Sequence, residues 1–201
     1  MHKLALWTLV LASLWNLSCS SASKNEEGQM TFEHLMTTQR FETVMENNTR
    51  SAKSYDGFMN NYQFAATLHS TDVIDALSWK KAVAFQWNQE KYVQERKKME
   101  EAANTTTQVF LSFYTPYSES DNLHTGKSIW KVYLQSGSNR YEGQIEKLSD
   151  SLFQLQSLYS NHTRFNTPYL VTFKVPTVVL QQSAPKLMIT SPLGSSEVSW
   201  E

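Results

Sequence analysis

The segment Gln108-Val109-Phe110-Leu111-Ser112-Phe113-Tyr114 has an apolar or aromatic side chain at nearly every position. A strand with one buried face alternates apolar and polar residues, whereas a strand covered on both faces is a nearly continuous apolar run. The segment therefore predicts a central strand that has packing layers on both sides. Thr115-Pro116 ends the pattern, because proline cannot donate to a sheet ladder.

The chain that follows predicts more strands. In 129–134 the residues Trp130, Val132 and Leu134 fall on one face of an alternating segment. Turn chemistry at 136–139 and a return segment from Arg140 predict a hairpin. Strand patterns recur at 169–175, 177–180 and 186–190, and a last short strand includes Val198 and Trp200, while leucines spaced by three and four at 148–158 predict one short helix.

The first half has a different pattern and predicts helices. Segment 51–69 is the main example, since Tyr55, Phe58, Tyr62 and His69 recur at helical spacing. A preceding helix is predicted to end near Asn47-Asn48. Another is predicted to start at Ser70 or Thr71 and to continue to about residue 101, and its polar end carries the i,i+4 pairs Arg96–Glu100 and Lys97–Glu101. His69 is interpreted as a packed or capping histidine.

The predicted fold class is therefore α+β. N-terminal helices over 31–103 precede a β-rich region over 104–201 that contains one short helix. Several short strands separated by turns are typical of an antiparallel β-sandwich, and an immunoglobulin-like arrangement is one form of it. The Cys…Trp…Cys pattern of true immunoglobulin domains is absent from the sequence.

The first residues have the three parts of a secretory signal. Lys3 supplies positive charge, residues 4–15 are uncharged and mostly apolar, and small residues follow. Since a membrane-spanning helix needs about 20 apolar residues, this run is too short to span. We expect residues 1–18 to be a signal peptide, and residues 19–30, which are small or polar, to be a flexible tether.

Cys19 is the single cysteine of the 201 residues, and it comes directly after the apolar run. The segment Leu14-Trp15-Asn16-Leu17-Ser18-Cys19 resembles the lipobox of bacterial lipoproteins, with the small Ser18 before the cysteine and leucine at 17 rather than 16. The resemblance implies that Cys19 is the lipidation site and the first residue of the mature chain. It implies a protein anchored to a membrane of the cell envelope through its N-terminal lipid, on the periplasmic or surface side.

Two other modes of export stay open. Cleavage after the small residues Ser20-Ser21-Ala22 would remove Cys19 and release a soluble protein. Glycosylation triplets at Asn47, Asn104 and Asn161 would suit a secreted adhesin or glycoprotein module. Their number is close to the chance expectation for a chain this rich in serine and threonine.

The charge balance gives no reason to expect nucleic acid as a partner. Removal of residues 1–18 takes away only Lys3 among the charged residues, which leaves 17 basic and 19 acidic residues. Binding to phosphate backbones requires a basic surface, so this near-neutral composition argues against it. Protein or envelope partners are left open.

The sequence offers no catalytic motif, no zinc spacing and no glycine-rich phosphate loop, and therefore no cofactor is expected. Two polar segments contain residues that could bind a metal ion or take part in catalysis. Glu119, Asp121 and Asn122, with His124 beside them, could supply oxygen ligands to calcium, but the EF-hand spacing is absent. Segment 160–164 includes His162 and Arg164. Both are interpreted as solvated loops, and a soluble exported enzyme of hydrolase type that uses them is the alternative function.

Overall fold

The computed structural model describes residues 35–181 and 183–200. In these residues the helices are α1 Thr38–Asn47, α2 Thr71–Ala84, α3 Gln89–Ala103, α4 Leu152–Leu158 and α5 Thr177–Gln181. The strands are β1 Thr49–Asp56, β2 Met59–Leu68, β3 Thr107–Tyr114, β4 Lys131–Ser136, β5 Asn139–Glu142, β6 Gln144–Lys147, β7 Thr167–Phe173, β8 Lys186–Ser191 and β9 Gly194–Ser199.

The strands form two antiparallel sheets. The five-stranded sheet has the order β1-β2-β3-β7-β6, and the four-stranded sheet has the order β5-β4-β8-β9. Alternate residues of β2, β3 and β7 pack against β4 and β8 to form the core between the sheets. The predicted α+β class and sandwich-like pairing of antiparallel sheets are therefore confirmed.

Strand β3 is the central strand of the five-stranded sheet and is covered on both faces, as predicted. Val109, Leu111 and Phe113 lie in the core between the sheets. Phe110 lies on the opposite face, in a second apolar cluster formed with α1, α2 and α4. The protein thus has a helical layer, a central sheet and an outer sheet. We call the surface of the five-stranded sheet that carries Phe110 its helix-side face.

The predicted helix over 51–69 is wrong, because these residues form the β1–β2 hairpin. Apolar residues of β2 recur at spacing two, since Tyr62, Phe64, Ala66 and Leu68 all face the core between the sheets. Gly57 occupies the tight turn with φ +58°, a conformation that glycine adopts at no steric cost. The helical region predicted over 31–103 is accordingly not confirmed as a unit, because the β1–β2 hairpin separates α1 from α2 and α3.

The long helix predicted after Ser70 starts where expected but is divided in two. Ser70 caps α2, and its hydroxyl accepts a hydrogen bond from the Val73 amide at 3.3 Å. Gln86 has φ +49° just after α2, and Asn88 then caps α3 by accepting from the Lys91 amide at 2.9 Å. A left-handed residue after the last turn is a common way to end a helix. The two predicted ion pairs of α3 are present, with Lys97–Glu101 the longer at 3.7 Å.

The β-rich half follows its prediction except at one segment. The hairpin at 136–139, the helix at 148–158 and the last strand with Val198 are found as β4–β5, α4 and β9, within a few residues. The segment 177–180 is the exception, because it forms α5 instead of a strand. Pro176 interrupts the strand, and the Thr177 hydroxyl then donates to the Thr106 carbonyl at 3.2 Å, which favours a helical turn that buries Leu180.

The chain passes from one sheet to the other at Gly143, between β5 and β6. The Gly143 amide donates to the Val132 carbonyl at 2.9 Å in the four-stranded sheet, while the next residue pairs with Thr172 in the five-stranded sheet. A Cβ atom added to Gly143 would lie 2.4 Å from Cγ1 of Val171 and 3.0 Å from the ring of Phe173. Only a residue without a side chain fits this corner.

Gly143→Ala is therefore expected to lower the free energy of unfolding by about 1–3 kcal/mol, the usual cost of overpacking a core. Urea unfolding measures the change. Gly126→Ala is the matched control, since a Cβ there meets nothing within 4 Å, and it should change stability by less than about 0.5 kcal/mol. Equal midpoints for the two variants would contradict the steric role of Gly143.

The predicted signal peptide (1–18), the tether (19–30) and Cys19 lie outside the described residues. Among the residues that the structure does describe, no helix is long and apolar enough to cross a membrane.

Candidate functional site

The segment 118–124, which contains the candidate calcium ligands, folds as a loop that closes one end of the sandwich. The Tyr169 hydroxyl donates to Oδ1 of Asp121 at 3.0 Å, and the Thr167 hydroxyl donates to its Oδ2. The Asn122 amide donates to the Glu119 carbonyl at 2.8 Å. Both carboxylate oxygens of Asp121 are therefore occupied by bonds within the protein, whereas the buried Oδ1 of Asn122 accepts no hydrogen bond from the described residues. In the described part of the chain, no cluster of three or more His, Cys, Asp or Glu side chains could hold a metal ion.

The Tyr169 side chain, which donates to Asp121, is buried. Burial raises the pKa of the Tyr169 hydroxyl, and the negative charge of Asp121 raises it further. The phenol consequently stays protonated and continues to donate to the carboxylate at any physiological pH. The exposed ring of His124 lies 5.9 Å from the Tyr169 ring, at the outer side of the loop. The polar groups of this loop thus attach it to β7.

The segment 160–164 is also attached to the sheet, but on the other side. Nδ1 of His162 and the Ser112 hydroxyl lie 2.9 Å apart, and the two residues are only 2% and 1% exposed. The Gln156 amide donates to the His162 carbonyl at 3.1 Å. Burial lowers the pKa of His162. A serine next to a histidine can act as a nucleophile and base, but this pair is closed to substrate and serves to fix the loop.

His69 belongs to the same buried region and is a packed histidine, as the sequence predicted. Its Nε2 lies 3.1 Å from the Tyr159 hydroxyl, and the Tyr159 ring stacks on Phe110 with centroids 3.6 Å apart. Burial, and then the positive charge of Lys81, lower the pKa of His69 to about 4. Burial raises the pKa of Tyr159. These groups are therefore neutral at physiological pH.

The two candidate segments do not form a common site. Asp121 contacts Thr167 and Tyr169, whose side chains lie on the face of β7 toward the four-stranded sheet. His162 contacts Phe110 and Ser112 on the helix-side face of β3. The five-stranded sheet therefore separates them, and the arrangement does not give the single concave pocket that a shared catalytic site requires.

A concave surface that the sequence did not indicate lies on the helix-side face of the five-stranded sheet. We call it the sheet trough. It is open to solvent and has a volume of about 590 Å³, with a floor from β1, β2 and β3 and one wall from the segment 161–166. The floor carries Lys53, Gln63 and Tyr114, and the wall carries Asn161 and Phe165. Among its described lining residues there is no aspartate or glutamate.

A second cavity of about 390 Å³ lies between α1, α2 and α3. The Arg96 guanidinium lies 3.0 Å from Asp75 and 2.9 Å from Glu100, and so joins α2 to α3. Burial raises the pKa of Asp75, although Arg96 opposes that shift. The ion pair between Arg96 and Asp75 joins two helices, so the charges in this cavity are explained by helix packing.

Comparison of the chain with protein-family models, with curated proteins and with solved structures finds no match.

Proposed function

We propose that the protein is exported and anchored to a membrane of the cell envelope by a lipid on Cys19, and that its α+β body has a noncatalytic binding or structural role. The observation that carries the proposal is the position of the single cysteine, directly after an apolar run of signal-peptide length. A thiol without a partner in its own chain is open to oxidation outside the cytosol. Lipidation gives this thiol a use, and more than one acyl chain makes anchoring stable.

The noncatalytic role is supported by the two polar segments of the body. The carboxylate of Asp121 and the imidazole of His162 are both engaged in hydrogen bonds that attach loops to the sheets. They lie on opposite faces of the five-stranded sheet, which argues against the alternative of an exported hydrolase that uses both. The immunoglobulin-like arrangement of the sandwich stays a prediction, and such modules commonly bind partners.

The test is metabolic labelling with radioactive palmitate in a bacterial host. Cys19→Ala is expected to reduce the label on the protein to background, because the acylated thiol is removed. Asn16→Leu is the matched variant: it places leucine three residues before the cysteine, as bacterial lipoproteins usually have it, and it should keep or increase the label. Equal labelling of the wild type and Cys19→Ala would refute lipid attachment.

The mass of the intact mature protein distinguishes the remaining alternatives. Lipidation predicts a chain that starts at Cys19 and carries the added mass of acyl groups. Soluble export predicts cleavage near Ala22 with no lipid mass. A secreted glycoprotein predicts added sugar mass, and the side chains of Asn47, Asn104 and Asn161 are all exposed. Either of the last two results would replace the lipoprotein proposal.

A further inference from the structure

The sheet trough has the form of a ligand site that is already built in the free protein. Its floor is sheet backbone, and its wall is fixed from behind by the buried contact between His162 and Ser112. Within the wall, the Thr163 hydroxyl donates to Asn166 Oδ1 at 2.5 Å, and the Asn166 amide donates to the Ser112 carbonyl at 3.4 Å. A wall held at these points does not need to be ordered when a ligand binds, which lowers the entropic cost of binding.

The side chains that line the trough indicate the class of ligand. Gln63 and Asn161 present amide groups, each of which can donate and accept hydrogen bonds. Tyr114 is partly exposed, and Phe165 is 65% exposed at the wall. The negative face of an aromatic ring attracts the weakly positive C–H groups of a sugar ring. Amides beside aromatic rings therefore suit an oligosaccharide, which offers hydroxyl groups and C–H faces together.

The charge of the trough indicates an acidic sugar. Lys53 is exposed on the floor and forms no ion pair with the described residues. Arg164 does not line the trough, but it is adjacent to the wall, with its guanidinium 4.8 Å from the Phe165 ring. With no carboxylate in the lining, this surface attracts an anion. A peptide that adds a strand would pair along the edge strand β1, whereas the trough lies on the face of the sheet, so a peptide is less suitable.

From these features we propose that the sheet trough binds a carboxylate-bearing oligosaccharide, with Phe165 and Tyr114 against sugar rings and Lys53 against the carboxylate. This inference deepens the binding role proposed above by naming a ligand class. It does not depend on Cys19, so palmitate labelling and sugar binding can fail separately.

Two tetrasaccharides with the same ring skeleton provide the probe pair. One alternates N-acetylglucosamine with N-acetylmuramic acid, which carries a lactyl carboxylate, and the other is the neutral chitotetraose. Isothermal titration of the mature protein is expected to give a Kd below about 1 mM for the acidic sugar, with binding about tenfold weaker for the neutral one. If neither sugar binds in this range, or if an acidic peptide of four residues binds as tightly, the proposal is overturned.

Substitutions in the trough, compared with substitutions elsewhere on the surface, test whether the trough is the binding site. Phe165→Ala should weaken the binding of both sugars about tenfold or more, whereas Phe153→Ala should not, although Phe153 is 83% exposed on α4. Lys53→Gln should weaken only the acidic sugar and remove the preference for it, with the exposed Lys174→Gln as its control. All four positions are on the surface, so thermal unfolding should show normal folding. Unchanged affinity in both Phe165→Ala and Lys53→Gln would overturn the trough as the site.

Discussion

Replacement of Trp130 by alanine is expected to lower the free energy of unfolding by about 4–5 kcal/mol. Trp130 is 2% exposed and stands where the two sheets meet, with its ring 4.9 Å from the rings of both Tyr62 and Phe113 and inclined at 71° to each. Its Nε1 donates to the Ser120 carbonyl at 2.6 Å. Alanine would leave a cavity between the sheets and would also release the loop that carries Asp121.

Urea unfolding at neutral pH measures this loss as a lower midpoint with the same slope. Trp130→Phe separates the two contributions, because it keeps a ring in the core and removes only the hydrogen bond and part of the volume, so its cost should be about 1–3 kcal/mol. Phe153→Ala serves as the exposed aromatic control and should cost less than about 0.5 kcal/mol. A loss below about 2 kcal/mol in Trp130→Ala would show that Trp130 does not organise this core.

Acid is expected to destabilise the protein through His69. The pKa of His69 is about 4 in the folded protein against 6.5 for an unperturbed histidine, so the folded state favours the neutral imidazole. Above pH 6.5 the contribution to stability is complete. As pH falls from 6.5 to about 4, the unfolded chain takes up a proton that the folded protein refuses, and about 3 kcal/mol of stability is lost. His162, whose pKa is also lowered by burial, acts in the same direction.

Comparison of His69→Gln with the wild type isolates this contribution. The variant is less stable at pH 7, since it loses the packing against Tyr159. Between pH 6.5 and 4, however, its stability should decline less steeply than that of the wild type. The two slopes should differ by up to about 1.4 kcal/mol per pH unit. Parallel curves for His69→Gln and the wild type would refute the role of His69.

The local sequence pattern was sufficient to predict most of the strands and helices of the β-rich half. The uninterrupted apolar run of β3 predicted a central strand with two covered faces, and Trp130, Val132 and Leu134 were correctly placed together on a buried face. The cap at Ser70 was also predicted correctly. These features depend on residues that are neighbours in the sequence, so they can be recognised without knowledge of the fold.

The β1–β2 hairpin was missed because its sequence has two periods at once. Tyr55, Phe58 and Tyr62 fit a helical stripe, yet the residues of β2 that face the core between the sheets, from Tyr62 to Leu68, lie at every second position. Asp56-Gly57 is a hairpin turn signal, and it lies at the turn between the two strands. Pairing with β3 decided the outcome, since it joins the hairpin to the five-stranded sheet, one face of which packs against the four-stranded sheet. Tertiary packing often overrides local preference in this way.

The structures of the two candidate loops also depend on contacts between residues that are distant in the sequence. From sequence, Asp121 and His162 were polar residues in turns, and neither could be assigned a partner. Their partners are Tyr169, 48 residues away, and Ser112, 50 residues away. The sheet trough depends on residues still farther apart, because β1 forms its floor and the segment before β7 its wall.

By itself, the sequence determined that the chain has an α+β composition with a doubly covered central strand, because burial leaves its periodicity in neighbouring residues. Export and lipidation of Cys19 stay predictions from the sequence, which rest on a short contiguous segment. Only the tertiary structure decided that 49–68 is a hairpin, that the candidate polar residues lie on opposite faces of one sheet, and that a trough lies beside Lys53. Each of these depends on contacts between distant residues, whose geometry no local pattern contains.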